Sequence, residues 1–168
     1  MTDDRHSYSA FVAQRQPGLL KFAMVLCGDA QLAEDLVADV LGRTYELWPR
    51  ISRMETPNGY VRRMIVNDYL SWRRRRRRTV PVADLGDLAG AQPDHAEAHA
   101  ARDEVAARLA GLPPRQRACL VLRYYDGLTD AEIADVLGCA AATVRSNVSR
   151  ALAALRIDAV APLPTTIP

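Results

Sequence analysis

The sequence is poor in the residue types on which most enzyme sites depend. It has three His and three Cys among 168 residues. Cys27, Cys119 and Cys139 are too far apart to form a CxxC metal or redox motif. No Walker phosphate loop, GxGxxG segment or Ser/His/Asp arrangement occurs along the chain. We therefore expect no enzymatic activity, no bound metal and no cofactor.

Long apolar runs are also lacking. No segment approaches the roughly 20 apolar residues of a membrane-spanning helix, and no apolar core of a signal peptide follows the first four residues. The three cysteines lie in apolar surroundings, which favours buried thiols in a reducing compartment. We expect a cytoplasmic protein without a membrane span.

Lysine is nearly absent. Lys21 is the only lysine, whereas the chain has 21 arginines. The net charge is only +2, but its distribution is uneven. Residues 49–78 hold ten basic and two acidic side chains, whereas residues 1–48 and 79–114 are net acidic. A basic block between acidic ones suggests a site for a polyanion. The apolar content of 49% is ample for a core, and the length suits one domain or two small ones.

Residues 128–156 predict two short helices joined by a tight turn at Gly138. Thr129 and Glu132 have the S/T-x-x-E spacing of a capping box. An apolar stripe recurs at helical spacing along the second helix, and its members are Val144, Val148, Ala151, Leu152 and Leu155. The opposite face is small and polar and carries no acidic residue. This is the pattern of a helix-turn-helix, in which the second helix enters the major groove.

The outer face of that second helix predicts contacts with DNA. The side chains able to meet base edges and phosphates are Thr143, Arg145, Ser146, Asn147, Ser149 and Arg150. The alternative is a purely structural helix pair in a small bundle. A solvated face normally mixes both signs of charge, so the lack of acidic residues here favours DNA binding.

The first half of the chain predicts three helices, over residues 8–27, 31–48 and 58–78. We expect Pro17-Gly18 to break or bend the first helix, and Pro49 to end the second. Gly28-Asp29 should end the first helix and cap the next one.

The third of these helices ends in six consecutive arginines, Arg73 to Arg78. A solvated or disordered tail and a localisation-like basic patch are alternatives for this run. Contact with nucleic acid is favoured because the same helix carries aromatic side chains and Asn67. Bases stack on aromatic rings while arginine binds the backbone beside them.

Residues 79–95 contain proline and glycine without periodicity and predict a flexible linker. A second helical unit is expected over residues 96–157, with helices near 96–109 and 114–125 before the helix-turn-helix pair, and a frayed tail over 158–168. Its expected core is Leu109, Leu112, Leu120, Val121, Leu122, Ile133, Val136 and Leu137. The predicted fold is all-α, with a three-helix domain over 8–78 and a four-helix domain over 96–157.

In combination, these motifs resemble extracytoplasmic-function (ECF) sigma factors of bacterial RNA polymerase, within the sigma-70 family. Residues 33–39 resemble the family's core-polymerase-binding helix. Residues 57–74 resemble its promoter-melting segment, in the form closest to the SigE-like actinobacterial subgroup. Residues 112–117, 124–129 and 143–146 resemble its promoter-binding domain.

The resemblance implies a sigma factor that binds core RNA polymerase and directs promoter-specific initiation. Asp35, Asp39 and Arg43 are implied to contact the clamp of the largest polymerase subunit, and the minus-thirty-five element is implied to meet the second helix of the pair. The residues implied to capture and melt the minus-ten element are Tyr60, Arg62, Arg63, Asn67, Trp72, Arg73, Arg74, Arg75 and Arg76. The polymerase flap and an anti-sigma factor are further implied partners, and the free protein is expected to be monomeric.

One alternative function stays open at this point. A stand-alone helix-turn-helix regulator would bind duplex DNA by itself, usually as a symmetric dimer. The sequence shows no heptad repeat or dimerisation helix, and its first half pairs an acidic face with a basic, aromatic one. Both features favour the sigma factor.

Overall fold

The computed structural model describes residues 2–79 and 100–155. The chain divides into two compact units, Met1–Asp94 and His95–Pro168. The described residues form helices and no strand, which confirms the all-α prediction. The predicted linker, apart from Thr79, and the predicted tail lie outside the described residues.

Within residues 2–79, the first unit consists of three helices, α1 (Thr2–Cys27), α2 (Ala30–Ile51) and α3 (Pro57–Thr79). The junction between α1 and α2 forms as predicted. Gly28 adopts a positive φ of 69° and its N–H donates to the Met24 carbonyl at 2.8 Å. Asp29 then caps α2, because its carboxylate accepts from the Leu32 N–H at 2.9 Å.

The prediction that Pro49 ends α2 was wrong, because the helix continues to Ile51. Pro17 lies inside α1 and does not break it, so only the expected bend of that helix stays a prediction. Both prolines are exposed, so the carbonyl that each leaves without a helical donor can bond to water instead. The extension of α2 also places Ile51 fully inside the core, which offsets part of the cost of the missing hydrogen bond.

The three helices pack around one apolar core. Its largest fully buried side chains are Leu19, Phe22, Leu26, Val37, Val40, Ile51, Val61, Ile65 and Val66. At one end, the Tyr8 hydroxyl donates to the Leu41 carbonyl at 2.6 Å, and the Trp48 indole N–H donates to Ser7 Oγ at 3.3 Å. These bonds satisfy the polar ends of two rings that pack edge to face.

The second unit contains α4 (Ala100–Ala110), α5 (Pro114–Leu120), α6 (Asp130–Leu137) and α7 (Ala141–Leu155). The helix predicted over residues 114–125 has the expected extent. Its last five residues, Val121–Tyr125, form a π-helical turn that the sequence did not indicate. The residues before Ala100, where this unit was predicted to begin, lie outside the described part of the chain.

The core of the second unit matches the predicted list with one exception. Leu109 is only partly buried, whereas the other predicted core residues are buried. Ala118 and Cys119 of α5, and Val144, Val148, Ala151 and Leu155 of α7, complete that core. Helix α7 packs on both α5 and α6, so its buried stripe fixes which face it turns to solvent.

Candidate nucleic-acid interfaces

The helix-turn-helix forms as the sequence predicted. The Thr129 hydroxyl accepts from the Glu132 N–H at 3.3 Å, and the Glu132 carboxylate accepts from the Thr129 N–H at 2.8 Å, so the capping box is complete. Gly138 ends α6 in the left-handed conformation with φ of 61°. Glycine adopts this conformation without strain, and the turn brings α7 across α6.

The outer face of α7 presents most of the predicted DNA-reading side chains. Five of the six are exposed, namely Thr143, Arg145, Ser146, Ser149 and Arg150. Asn147 is half-buried, and its side-chain amide donates to the Thr143 carbonyl at 3.0 Å. This local bond occupies one of the amide donors of Asn147 and leaves the exposed five as the more accessible polar surface.

An aspartate that the sequence did not single out lies between two arginines of the second unit. One oxygen of Asp130, at the start of α6, accepts a hydrogen bond from Arg123 of the π-helical turn. The other oxygen lies 3.8 Å from Nη1 of Arg145 on α7. The Asp130 side chain is 19% exposed and the Arg145 side chain 62% exposed. The contact between Asp130 and Arg145 is an ion pair without a hydrogen bond, and most of the Arg145 side chain is open to solvent.

The predicted minus-ten residues of α3 divide between two faces of that helix. Arg63, Asn67 and Arg74 are exposed and recur at helical spacing on the outer face. Tyr60 is half-buried and occupies the same side. Arg62 points the other way, because its guanidinium lies 5.2 Å from the centre of the buried Phe22 ring. This contact stabilises the fold of the first unit as a cation–π pair.

The end of α3 forms a shallow pocket lined by Trp72, Arg75, Arg76 and Thr79. The Arg76 guanidinium lies 5.2 Å from the Trp72 ring centre, which holds a flat cation against a flat aromatic surface. Arg75 is exposed, whereas Arg73 is partly buried. Thr79, which the sequence did not single out, donates its hydroxyl to the carbonyls of the preceding turn.

The residues that the resemblance implies as contacts of the polymerase clamp lie on α2. Asp35 and Asp39 are exposed and one helical turn apart, and Asp35 accepts from the Gln31 amide at 3.0 Å. Arg43 follows a turn later and is ion-paired with Asp68 of α3. The side chains of this pair are 48% and 28% exposed, so it joins α2 to α3 while part of Arg43 stays accessible. No sequence signal identified Asp68 as its partner.

Neither a metal site nor a spanning helix is found in the described ranges. Residues 2–79 and 100–155 contain no cluster of His, Cys, Asp and Glu that could hold a metal ion. None of the helices in these ranges is both long and apolar enough to cross a membrane.

The thiol of Cys119, in the core of the second unit, is fully buried. Burial, with a smaller contribution from the neighbouring Cys139, raises the pKa of this thiol from 9.0 to about 11.

Comparisons with known proteins match both units of the chain. The family model for sigma-70 region 2 matches residues 11–79, and the model for sigma-70 region 4 matches residues 102–155. The RNA polymerase sigma-E factor of Streptomyces coelicolor is 36% identical over 92% of this chain and 86% of its own length. The ECF RNA polymerase sigma factor SigC of Mycobacterium tuberculosis is 32% identical over 89% of this chain and 82% of its own.

The fold is also found among solved structures of sigma factors. The sigma factor RpoE of Bartonella quintana, crystallised with the anti-sigma factor NepR, aligns with a TM-score of 0.71 over 90% of this chain and 98% of its own. Its sequence identity is 24%, so this likeness bears on the fold alone.

Proposed function

The chain belongs to the sigma-70 family, and on that premise we propose that it binds core RNA polymerase and directs promoter-specific initiation of transcription. The observation that supports this most strongly is the presence in one chain of two units that match different regions of the sigma-70 family. One ends in the basic, aromatic helix α3 and matches sigma-70 region 2. The other contains the helix-turn-helix and matches sigma-70 region 4.

In this proposal, the first unit, taken as residues 8–78, binds the polymerase through α2. Asp35, Asp39 and Arg43 contact the clamp of the largest subunit. The exposure of the two carboxylates supports this assignment, because their charge is available to basic groups of a partner. Helix α2 packs directly on α3, and the Arg43–Asp68 pair adds a polar contact between them. Polymerase binding on α2 would therefore orient DNA capture on α3.

Capture of the minus-ten element is assigned to α3. Arg63, Asn67 and Arg74, with Tyr60 beside them, form an outer face for the displaced strand. Trp72 and Arg76 add a stacked platform on which an unstacked base can lie, while Arg73 and Arg75 bind phosphates nearby. Arg62 acts through the fold of the unit, given its contact with Phe22, as well as through its charge.

The second unit, taken as residues 96–157, recognises the minus-thirty-five element through α7 and binds near the polymerase flap. Thr143, Arg145, Ser146, Ser149 and Arg150 meet base edges and phosphates in the major groove. Asn147 is assigned to the same contact, with one amide N–H bonded to the Thr143 carbonyl and its other polar atoms left for DNA. The segment over residues 79–95 connects the units along the polymerase, and the free chain is a cytoplasmic monomer that an anti-sigma factor can sequester.

The experiment that tests this function is reconstitution. Purified full-length chain is added to core RNA polymerase of Streptomyces coelicolor, the organism of a sigma-E relative, with genomic DNA fragments as templates. Transcripts with defined start points that depend on the added chain are expected. Their absence, together with sequence-specific binding of duplex DNA by the chain alone as a dimer, would support a stand-alone regulator instead.

A further inference from the structure

Asp130, an acidic residue at the start of the helix-turn-helix, has an arginine partner on each side. Asp130 pairs through one oxygen with Arg123 of the π-helical turn and through the other with Arg145 of α7. Arg123 lies within the π-helical turn Val121–Tyr125, and its guanidinium reaches Asp130 at the start of α6. The arrangement therefore joins three consecutive elements of the unit through one carboxylate.

The unequal exposure of this group indicates a role beyond the fold. Asp130 is largely covered, whereas most of the Arg145 side chain is open to solvent. An arginine on an exposed helix face has several rotamers, and each binding event must fix one of them. A carboxylate that engages one Nη group reduces that freedom and leaves the rest of the guanidinium fork directed outward.

We propose that Asp130 is a positioning residue that sets the base specificity of Arg145. Held in this way, Arg145 presents a bidentate fork suited to the O6 and N7 acceptors of guanine. Arg123 balances the charge of Asp130, so that Asp130 can hold Arg145 without drawing it away from DNA. This inference rests on the proposed function, because it assumes that α7 reads the upstream promoter element.

Removal of the carboxylate has different consequences for DNA binding if Asp130 is only a negative charge and if it positions Arg145. If Asp130 acts only as a negative charge near DNA, Asp130→Asn strengthens binding to every sequence alike. If it positions Arg145, the same change weakens the preference for one base at one position of the upstream element. The expected loss of preference is about two- to five-fold, which is the size that an exposed ion pair permits.

The test uses the full-length chain with core RNA polymerase and a double-stranded DNA library randomised over the promoter region. Transcripts are sequenced to obtain the base preference at each upstream position. Asp130→Asn should lower the preference for guanine at the position that Arg145→Ala also affects. Asp135→Asn is the matched control, because Asp135 is an exposed carboxylate on the same helix, and it should leave all preferences unchanged.

A double variant separates positioning from general damage. In the Arg145→Ala background, Asp130→Asn should have no further effect on that position, since the side chain it orients is gone. Asp130→Glu should restore part of the preference. Loss of preference at all positions, or a further loss in the Arg145→Ala background, would overturn the inference.

Failure of this inference is distinguishable from failure of the proposed function. If the wild-type chain yields no transcripts from the library, the proposed function fails. If it yields transcripts whose upstream preferences are identical for wild type and Asp130→Asn, the function stands and Asp130 has no positioning role. Thermal unfolding of each variant shows whether any change in preference follows from loss of folded protein.

Discussion

At the scale of single residues, the arginines of α7 carry the most specific expectation. Arg145 and Arg150 are both exposed on the outer face of the helix. Replacement of either by Ala should weaken upstream binding by ~1–3 kcal/mol when the side chain reads a base edge. Holoenzyme affinity on a recovered promoter and on its single-base variants measures this. A loss that is equal on all sequences would mean that the arginine contacts phosphate alone.

Cys119 gives a prediction that depends on pH. Its thiol pKa is raised from 9.0 to about 11 by burial, so the folded state prefers the neutral thiol. The contribution of Cys119 to the free energy of unfolding is therefore full below pH 9. It declines as the pH rises towards about 11, because the unfolded chain then releases the thiol proton more readily than the folded chain does.

The measurement is chemical unfolding of the wild type and of Cys119→Ala across that pH range, with alkylation of the thiol as a second readout. Cys119 should resist iodoacetamide at neutral pH until the second unit unfolds, since little thiolate forms and the sulfur is covered. Cys27, which is partly exposed, serves as the internal comparison. Equal labelling of the two thiols in the folded protein would contradict the assignment.

At the scale of elements, the acidic face of α2 should determine polymerase binding. Asp35→Arg combined with Asp39→Arg reverses two exposed charges and should abolish association with core polymerase, because like charges would then oppose each other at the contact. Co-elution of the chain with core enzyme measures this. Asp4→Arg with Glu55→Arg makes the same change in net charge elsewhere in the unit and should leave association intact; loss in both variants would point to a general charge effect.

The arginine run of α3 should set the salt dependence of promoter binding. Arg74, Arg75, Arg77 and Arg78 are exposed, and their replacement by Gln leaves the Trp72–Arg76 stack in place. The slope of log affinity against log salt should become less steep by about 0.7–0.9 for each phosphate that the variant no longer neutralises. Binding of holoenzyme to a recovered promoter over a salt series gives the slope.

A matched variant distinguishes local binding of phosphate from net charge in that experiment. Gln at Arg5, Arg15, Arg50 and Arg53 removes four exposed arginines from the same unit and should leave the slope close to that of the wild type. If the two variants flatten the slope equally, the effect follows from net charge, and the arginines at the end of α3 do not contact DNA phosphates specifically.

The elements that could be predicted from sequence are those specified by local interactions. Thr129 and Glu132 form their capping box within one turn, and Gly138 ends α6 through its own backbone freedom. Pro49 was misjudged because a tertiary contact opposes its effect on the helix. Ile51, which follows it in α2, is fully buried, and this burial favours the longer helix.

The candidate site could likewise be predicted where local spacing specifies it, and could not where contacts between helices do. Spacing alone identified the exposed face of α7, because the buried stripe fixes its opposite side. It could not show that Arg62 turns inward to Phe22, that Arg43 pairs with Asp68 or that Asp130 lies between two arginines. Each of these depends on contacts between elements, which the pattern along a single helix does not specify.

Across the whole molecule, the two units are expected to have different tasks. The region 2 match over residues 11–79 is not expected of a stand-alone regulator, whose DNA binding needs only the helix-turn-helix and a dimer partner. A sigma factor instead contacts DNA at two separated elements while it is bound to polymerase. This difference predicts how the DNA itself should be protected and opened.

Permanganate and nuclease footprinting of the holoenzyme on a recovered promoter tests whether the two units contact two separate promoter elements. We expect two separated protected patches that need core polymerase, with permanganate-reactive thymines confined to the downstream patch, where α3 holds the opened strand. A single, twofold-symmetric patch that forms on closed duplex DNA without core polymerase would contradict the account.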